Sequence, residues 1–184
     1  MESEAWAPEE AVPPIAELLE PEGQGAGNYL RAGPGALPRA VRVVFDTNIF
    51  VSALVLPGSH AEEALIRILE GKDRLILSKP ILDELLGVLA RKFSRDREEL
   101  ARVAVWLGEL AEWVRPTQRL SVAGEEADNR ILECALAGEA EVIVTGDKGL
   151  LRLGKFESID IVTLRSYLSD RNNQATSNRT RGPD

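Results

Sequence analysis

Four carboxylates sit in apolar surroundings where a solvated acid is not expected: Asp46, Glu84, Asp128 and Asp147. Asp46 ends a run of Val and Phe in VVFDTNIFVSALV and is followed by the polar residues Thr47 and Asn48. Desolvating such a group costs free energy unless something binds it. Asp147 stands just past the apolar run of VIVTGDKGLL, beside Gly146, which permits a tight turn. Asp128 has Ile131, Leu132, Ala135 and Leu136 at i+3, i+4, i+7 and i+8, so it falls on the buried stripe of a helix. Glu84, with Ile81 at i−3 and Val88 at i+4, belongs to an inward or edge-facing row, and its neighbour Asp83 is left to solvent.

Taken singly, each acid has an ordinary structural role open to it. Asp46 can cap the helix that follows, Asp128 can sit in a first helical turn where the macrodipole favours it, Asp147 can serve a turn, and Glu84 can be a half-exposed helix residue. As a set at one sheet edge they repel each other unless neutralised. With one histidine and one cysteine in the chain, neither a His-ligated zinc site nor a thiolate cluster nor an intrachain disulfide is available. The neutraliser suited to carboxylate oxygens is a hard cation, Mg²⁺ or Mn²⁺. Its chemistry in an acidic cluster is metal-assisted phosphodiester hydrolysis.

The elements that must position these acids alternate between strand and helix. VRVVF (41–45), LIL (75–77), EVIVT (141–145) and IDIVTL (159–164) read as strands. NIFVSALV, AEEALIRILE (61–70, stopped by Gly71), ILDELLGVLARKF behind Ser78 and Pro80, ADNRILECALAG and KGLLRL read as helices. Asp96 and Glu99 form a capping-box pattern for a helix through DREELARVAVWLGELAEWV, with Leu100, Val103, Leu107, Leu110 and Val114 as its core stripe. The alternation predicts a three-layer α/β/α fold with a mostly parallel central sheet, so Asp46 and Asp147 fall outside carboxyl ends of strands, where such sheets bind ligands.

At 184 residues and 44% hydrophobic content, the chain suits one domain with a sizeable core. Residues 1–40 hold six of the ten prolines and seven acidic against two basic residues, and read as a disordered acidic extension with a short helix near IAELLE. Residues 170–184 are polar throughout and read as a second disordered tail, leaving 41–169 as the domain. The net charge of −8 belongs largely to the extension, so it neither supports nor excludes a phosphate-bearing partner. The acidic N-terminus has no signal-peptide pattern and no apolar run is long enough to span a bilayer, which predicts a cytoplasmic protein with no membrane partner.

FDTNIFVSAL, LSKPILDELLGVL and DNRILECALAGEAEVIVTGDKGLL, in that order, closely resemble the PIN-domain family of ribonucleases, many of whose small members are VapC-like toxins of type II toxin–antitoxin systems. The resemblance covers residues 41–169. It implies a PIN-like fold, and it implies that Asp46, Glu84, Asp128 and Asp147 bind Mg²⁺ or Mn²⁺ in a negative pocket that cuts RNA. Asn48 and Thr145 match accompanying polar positions expected to orient the carboxylates. Ala127 stands where close relatives often carry a further aspartate, with Glu125 and Glu126 beside it, and the N-terminal extension lies outside the family pattern. The implied partners are RNA and, for a toxin, an antitoxin protein.

An RNA path needs cations. RKFSRDR supplies Arg91, Lys92 and Arg95, while Lys148 and Arg130 stand close in sequence to site acids. Trp106, Leu110 and Trp113 at i, i+4 and i+7 make a second apolar face, open to core packing or to a homodimer or partner interface. His60 reads as a surface or capping residue and Cys134 as a packed, inert thiol. A haloacid-dehalogenase-type phosphatase wants a second aspartate where Asn48 stands, and a receiver domain orders its aspartates and lysine differently. The remaining alternatives are a housekeeping RNA-processing nuclease and a non-catalytic RNA-binding or scaffolding domain.

Overall fold

A computed structural model describes Leu19 and residues 39–170. The elements run β1 (Arg42–Phe45), α1 (Thr47–Val55), α2 (His60–Leu69), β2 (Arg74–Ser78), α3 (Lys79–Phe93), α4 (Arg97–Leu110), β3 (Glu112–Val114), α5 (Glu126–Ala137), β4 (Val142–Val144), α6 (Lys148–Leu153), β5 (Lys155–Phe156) and β6 (Ile159–Val162). A last helical stretch covers 164–170. The six strands form one sheet in the order β3-β2-β1-β4-β6-β5, parallel except for β5. Helices flank this mostly parallel sheet, giving the expected three-layer α/β fold.

Parallel strands covered on both faces become continuous apolar runs. Val43, Val44 and Phe45 of β1 are all fully buried, as are Ile143 and Val144 of β4. Helix starts follow local capping chemistry. Ser59 accepts from the Glu62 N–H at the head of α2. Asp96 and Glu99 complete the capping box at α4, with bonds of 2.8 and 3.0 Å. Ser78 occupies the N-cap position of α3 without a side-chain capping bond. Where α5 ends, a Cβ on Gly138 would stand 2.2 Å from the Ile76 Cγ2 methyl, so only glycine allows the helix end to close on β2.

The helix expected through residue 114 stops at Leu110, and Glu112–Val114 instead pairs with β2 as an edge strand. Two side chains favour that switch. The Arg42 guanidinium grips Glu112 with bonds of 2.9 and 2.8 Å, and the Trp113 indole N–H donates to the Gly108 carbonyl. Trp106, Leu110 and Trp113 therefore share no helical face: Trp106 is buried, while Trp113 is 44% exposed on the strand. The two-residue strand β5 and the 164–170 helix, with Tyr167 and Leu168 buried, were too short to read from periodicity. The expected disorder of 1–40 and 170–184 and the IAELLE helix fall almost wholly outside the described residues. Among the described residues, no single helix is long and apolar enough to cross a membrane.

Candidate functional site

The site is built where the strand order reverses. From β1 the sheet grows to β2 on one side and to β4 on the other, and a crevice opens at the carboxyl ends of such a pair. Asp46 follows β1 and Asp147 follows β4. Thr145, fully buried between them, donates its hydroxyl to Asp46 Oδ2 at 2.6 Å and accepts the Asp147 N–H at 2.9 Å. One side chain thus fixes the separation of two acids that lie 101 positions apart in the chain. Both aspartates also cap helices: Asp46 Oδ1 accepts from the Asn48 N–H at 3.3 Å, and Asp147 Oδ1 from Gly149 and Leu150 at 2.6 and 3.0 Å. Capping engages Asp147 Oδ1 and, among the described residues, no hydrogen bond falls on its second oxygen.

Asp128, only 8% exposed, joins them from the first turn of α5. Its Oδ2 would lie 3.5 Å from a Cβ on Gly149, and Asp147 Oδ1 would lie 2.8 Å from the same point. The missing side chain at 149 leaves room for the two carboxylates to draw together. Glu84 reaches the cluster half-buried from α3. The buried Thr47 hydroxyl completes no hydrogen bond of full geometry, yet it is close enough to Glu84 to favour that carboxylate's charged form.

Electrostatics tie the four together. Burial, then Asp147, Glu125, Asp46 and Glu84, push the Asp128 carboxyl up to about 6. Burial raises Asp46 against the pull of the Thr145 and Asn48 bonds, and Asp147 adds to the rise. Glu84 is raised mainly by burial, with Asp46 contributing. Carboxyls held above their usual range by burial and by each other are a set short of positive charge. Its donors are hard oxygens only, which fits Mg²⁺ or Mn²⁺. Among the described residues no three acidic, histidine or cysteine side chains already surround one point as a metal cage, so ligation requires side-chain adjustment.

The loop before α5 is pinned by residues that the sequence reading passed over. Asn129 accepts from the Val122 and Ala123 N–H groups at 2.9 Å each and donates to the Ala123 and Glu125 carbonyls. Buried Glu133 accepts from the Leu120 N–H at 2.7 Å and pairs with Arg130. Asn129 immediately follows Asp128, so this lock sets where Asp128 enters the cluster. The only sequence signal was their polarity, on a helix that also carries Glu126, Asp128 and Arg130.

The candidate cations separate. Lys148 is exposed directly after Asp147. Arg91 folds back along α3, its Nη1 only 2.9 Å from where a Gly87 Cβ would stand, and it favours the charged form of Glu84. Lys92 is exposed. Arg95 is paired with Glu99 at 2.6 Å, and Arg130 with Glu133 and Glu126, so neither guanidinium is free. Asn48 is exposed, with its backbone N–H on Asp46. Arg152, not singled out from sequence, turns toward Gly149, with Nη2 3.9 Å from the same absent Cβ. His60 lies exposed beside Glu63, and Cys134 is buried with its thiol pushed up to about 12 by burial.

Thr145→Val removes the hydroxyl that joins Asp46 to Asp147. It should cost about 1–3 kcal/mol in urea unfolding, because buried Asp46 loses its donor and the half-buried Asp147 N–H its acceptor.

A family model described as the PIN domain matches residues 42–149. The uncharacterized protein MJ1680 of Methanocaldococcus jannaschii is 30% identical over 117 residues, which cover 61% of this chain and 75% of that relative. Among solved structures, VapBC2 from Rickettsia felis bound to a promoter DNA fragment aligns with a TM-score of 0.47 and 15% identity, over 66% of this chain and 98% of that one. The T. brucei RRP44 PIN domain aligns with a TM-score of 0.45 and 16% identity, over 77% and 87%.

Proposed function

Because this chain belongs to the PIN-domain family, we propose that it is a divalent-metal-dependent endoribonuclease. The observation that carries this reading is the convergence of Asp46, Asp128 and Asp147, with Glu84 beside them, at the carboxyl ends of β1 and β4, where Thr145 bridges Asp46 to Asp147. Mg²⁺ or Mn²⁺ held by these carboxylates supplies water activation and stabilises charge on the scissile phosphate. The chain's own residues do the positioning. Thr145 holds Asp46 and Asp147 in register, Asn129 sets Asp128, and the Thr47 hydroxyl favours the charged Glu84. Lys148 and Arg91 provide the phosphate contacts, with Lys92 extending the path along α3.

Small PIN domains of this kind resemble toxins, so the finer proposal is a toxin silenced by an antitoxin protein. An adjacent small gene whose product copurifies and blocks activity supports that role, and a lone gene favours housekeeping RNA processing.

Purified protein incubated with a total cellular RNA pool is expected to cut in Mg²⁺ or Mn²⁺ and to stop in EDTA. RNA binding without cutting in any metal, together with no heat of metal binding in calorimetry, would transfer the chain to the non-catalytic RNA-binding reading.

A further inference from the structure

At the C-terminal end of α1, against α3 and α4, a groove of about 120 Å³ is lined by Leu54, Val55, Leu89, Leu100 and Val103. Arg95, Glu99 and Arg102 also line it. Leu19, the one described residue among the first 38, lines it too and packs partly buried against the core. Leu19 belongs to the stretch IAELLEPE (15–22), in which Ile15, Leu18 and Leu19 alternate with Glu17, Glu20 and Glu22. Apolar residues at i, i+3 and i+4 suit a groove that is apolar inside, whose rim arginines are already paired, Arg95 with Glu99 and Arg102 with Glu98.

We propose that this groove is the docking site of the chain's own residues 15–22, anchored by Leu19. The tether favours this occupant over others: between Leu19 and Arg39 run 19 residues with five glycines, so the anchor meets the groove at an effective concentration of about millimolar. A modest apolar contact then suffices to hold it. Docking keeps Glu17, Glu20 and Glu22 of the same segment at the rim of the groove. Any partner using that groove has to displace the segment. The docking stands or falls independently of the nuclease activity.

Hydrogen–deuterium exchange on the full chain tests it. Leu19→Asp should speed exchange about tenfold in 52–56, 86–92 and 100–104, the local opening expected when an anchor leaves its groove, while β1 and β4 keep their protection. Leu19→Met should behave as wild type, and a peptide of residues 12–24 at millimolar concentration should restore protection to Leu19→Asp. Unchanged exchange in Leu19→Asp overturns the proposal. So does faster exchange throughout the sheet, which would make Leu19 an ordinary core residue. Loss of protection on diluting the wild type overturns it as well, because a second copy would then be the occupant.

Discussion

Asp128→Asn is expected to lower metal-dependent RNA cleavage by more than about 100-fold and, in the same preparation without metal at pH 7.5, to raise the melting midpoint by about 2–4 °C. The two effects have one origin. Asp128 is 8% exposed and surrounded by Asp147, Glu125, Asp46 and Glu84, and among the described residues no hydrogen bond or cation serves its side chain. An asparagine keeps the shape and removes the charge. What the fold gains by losing that charge is what a divalent cation gains by meeting it.

The pH dependence fixes the sign. The carboxyl is pushed up to about 6 in the folded protein from its ordinary 3.8, so the folded state holds its proton more tightly than the unfolded state. Below the unfolded value both states are protonated and Asp128 makes no difference. As pH rises toward 6 the unfolded chain ionises first, and folding is progressively penalised until the folded carboxyl ionises too. Asp46 and Glu84 are shifted in the same direction and add to the slope. The gap between Asp128→Asn and wild type should therefore be near zero at about pH 3, grow to its full size above pH 6, and reverse when Mg²⁺ or Mn²⁺ is added. A variant that melts lower than wild type without metal, or a gap that ignores pH, would show that Asp128 has a favourable partner instead of a repulsive set.

How much of this was legible in the sequence depends on the range of the signal. Asp46 and Asp147 could be placed because each ends an apolar run, and runs of Val and Ile mark strands buried on both faces. Asp128 and Glu84 could be placed because helical spacing reports which face a residue occupies. The parallel α/β plan followed from the alternation of the two patterns. Thr145 was visible only as a companion polar residue, because its role is to join two chain segments that come together in the sheet. Trp113 was misplaced for a related reason. Its spacing from Trp106 suits a helix, but the Arg42–Glu112 pair and the open edge of β2 are tertiary features that local periodicity does not contain. Arg95 and Arg130 looked available because charge is legible in a sequence and pairing is not.

Asp73→Asn should act in the opposite sense to Asp128→Asn, destabilising the fold by about 3–5 kcal/mol, or about 10 °C in melting midpoint, with little effect on cleavage by the molecules that remain folded. Asp73 is 2% exposed. Its Oδ1 accepts the Val41 N–H at the head of β1, and its Oδ2 accepts the Arg67 guanidinium at 3.2 Å and the Tyr167 hydroxyl at 2.7 Å. One carboxylate therefore ties α2, the entry to β1 and the 164–170 helix into a single knot. An amide supplies one acceptor oxygen and turns an N–H₂ toward donors, so the Arg67 guanidinium, on a side chain only 12% exposed, loses the charge of Asp73. The Tyr167 ring also packs edge-on against Phe45 with centroids 5.8 Å apart, and Phe45 directly precedes Asp46. Loosening the knot is thus transmitted toward the cluster by packing, while the Thr145 bonds that align Asp46 with Asp147 lie at the far end of the strand and stay intact. At 25 °C the cleavage rate per folded molecule should hold, and amide exchange should rise first in 164–170 and at Val41. If activity falls while the melting midpoint stays, the knot at the entry to β1 belongs to the site as much as to the scaffold, and the separation drawn between charge that destabilises and charge that holds the fold fails.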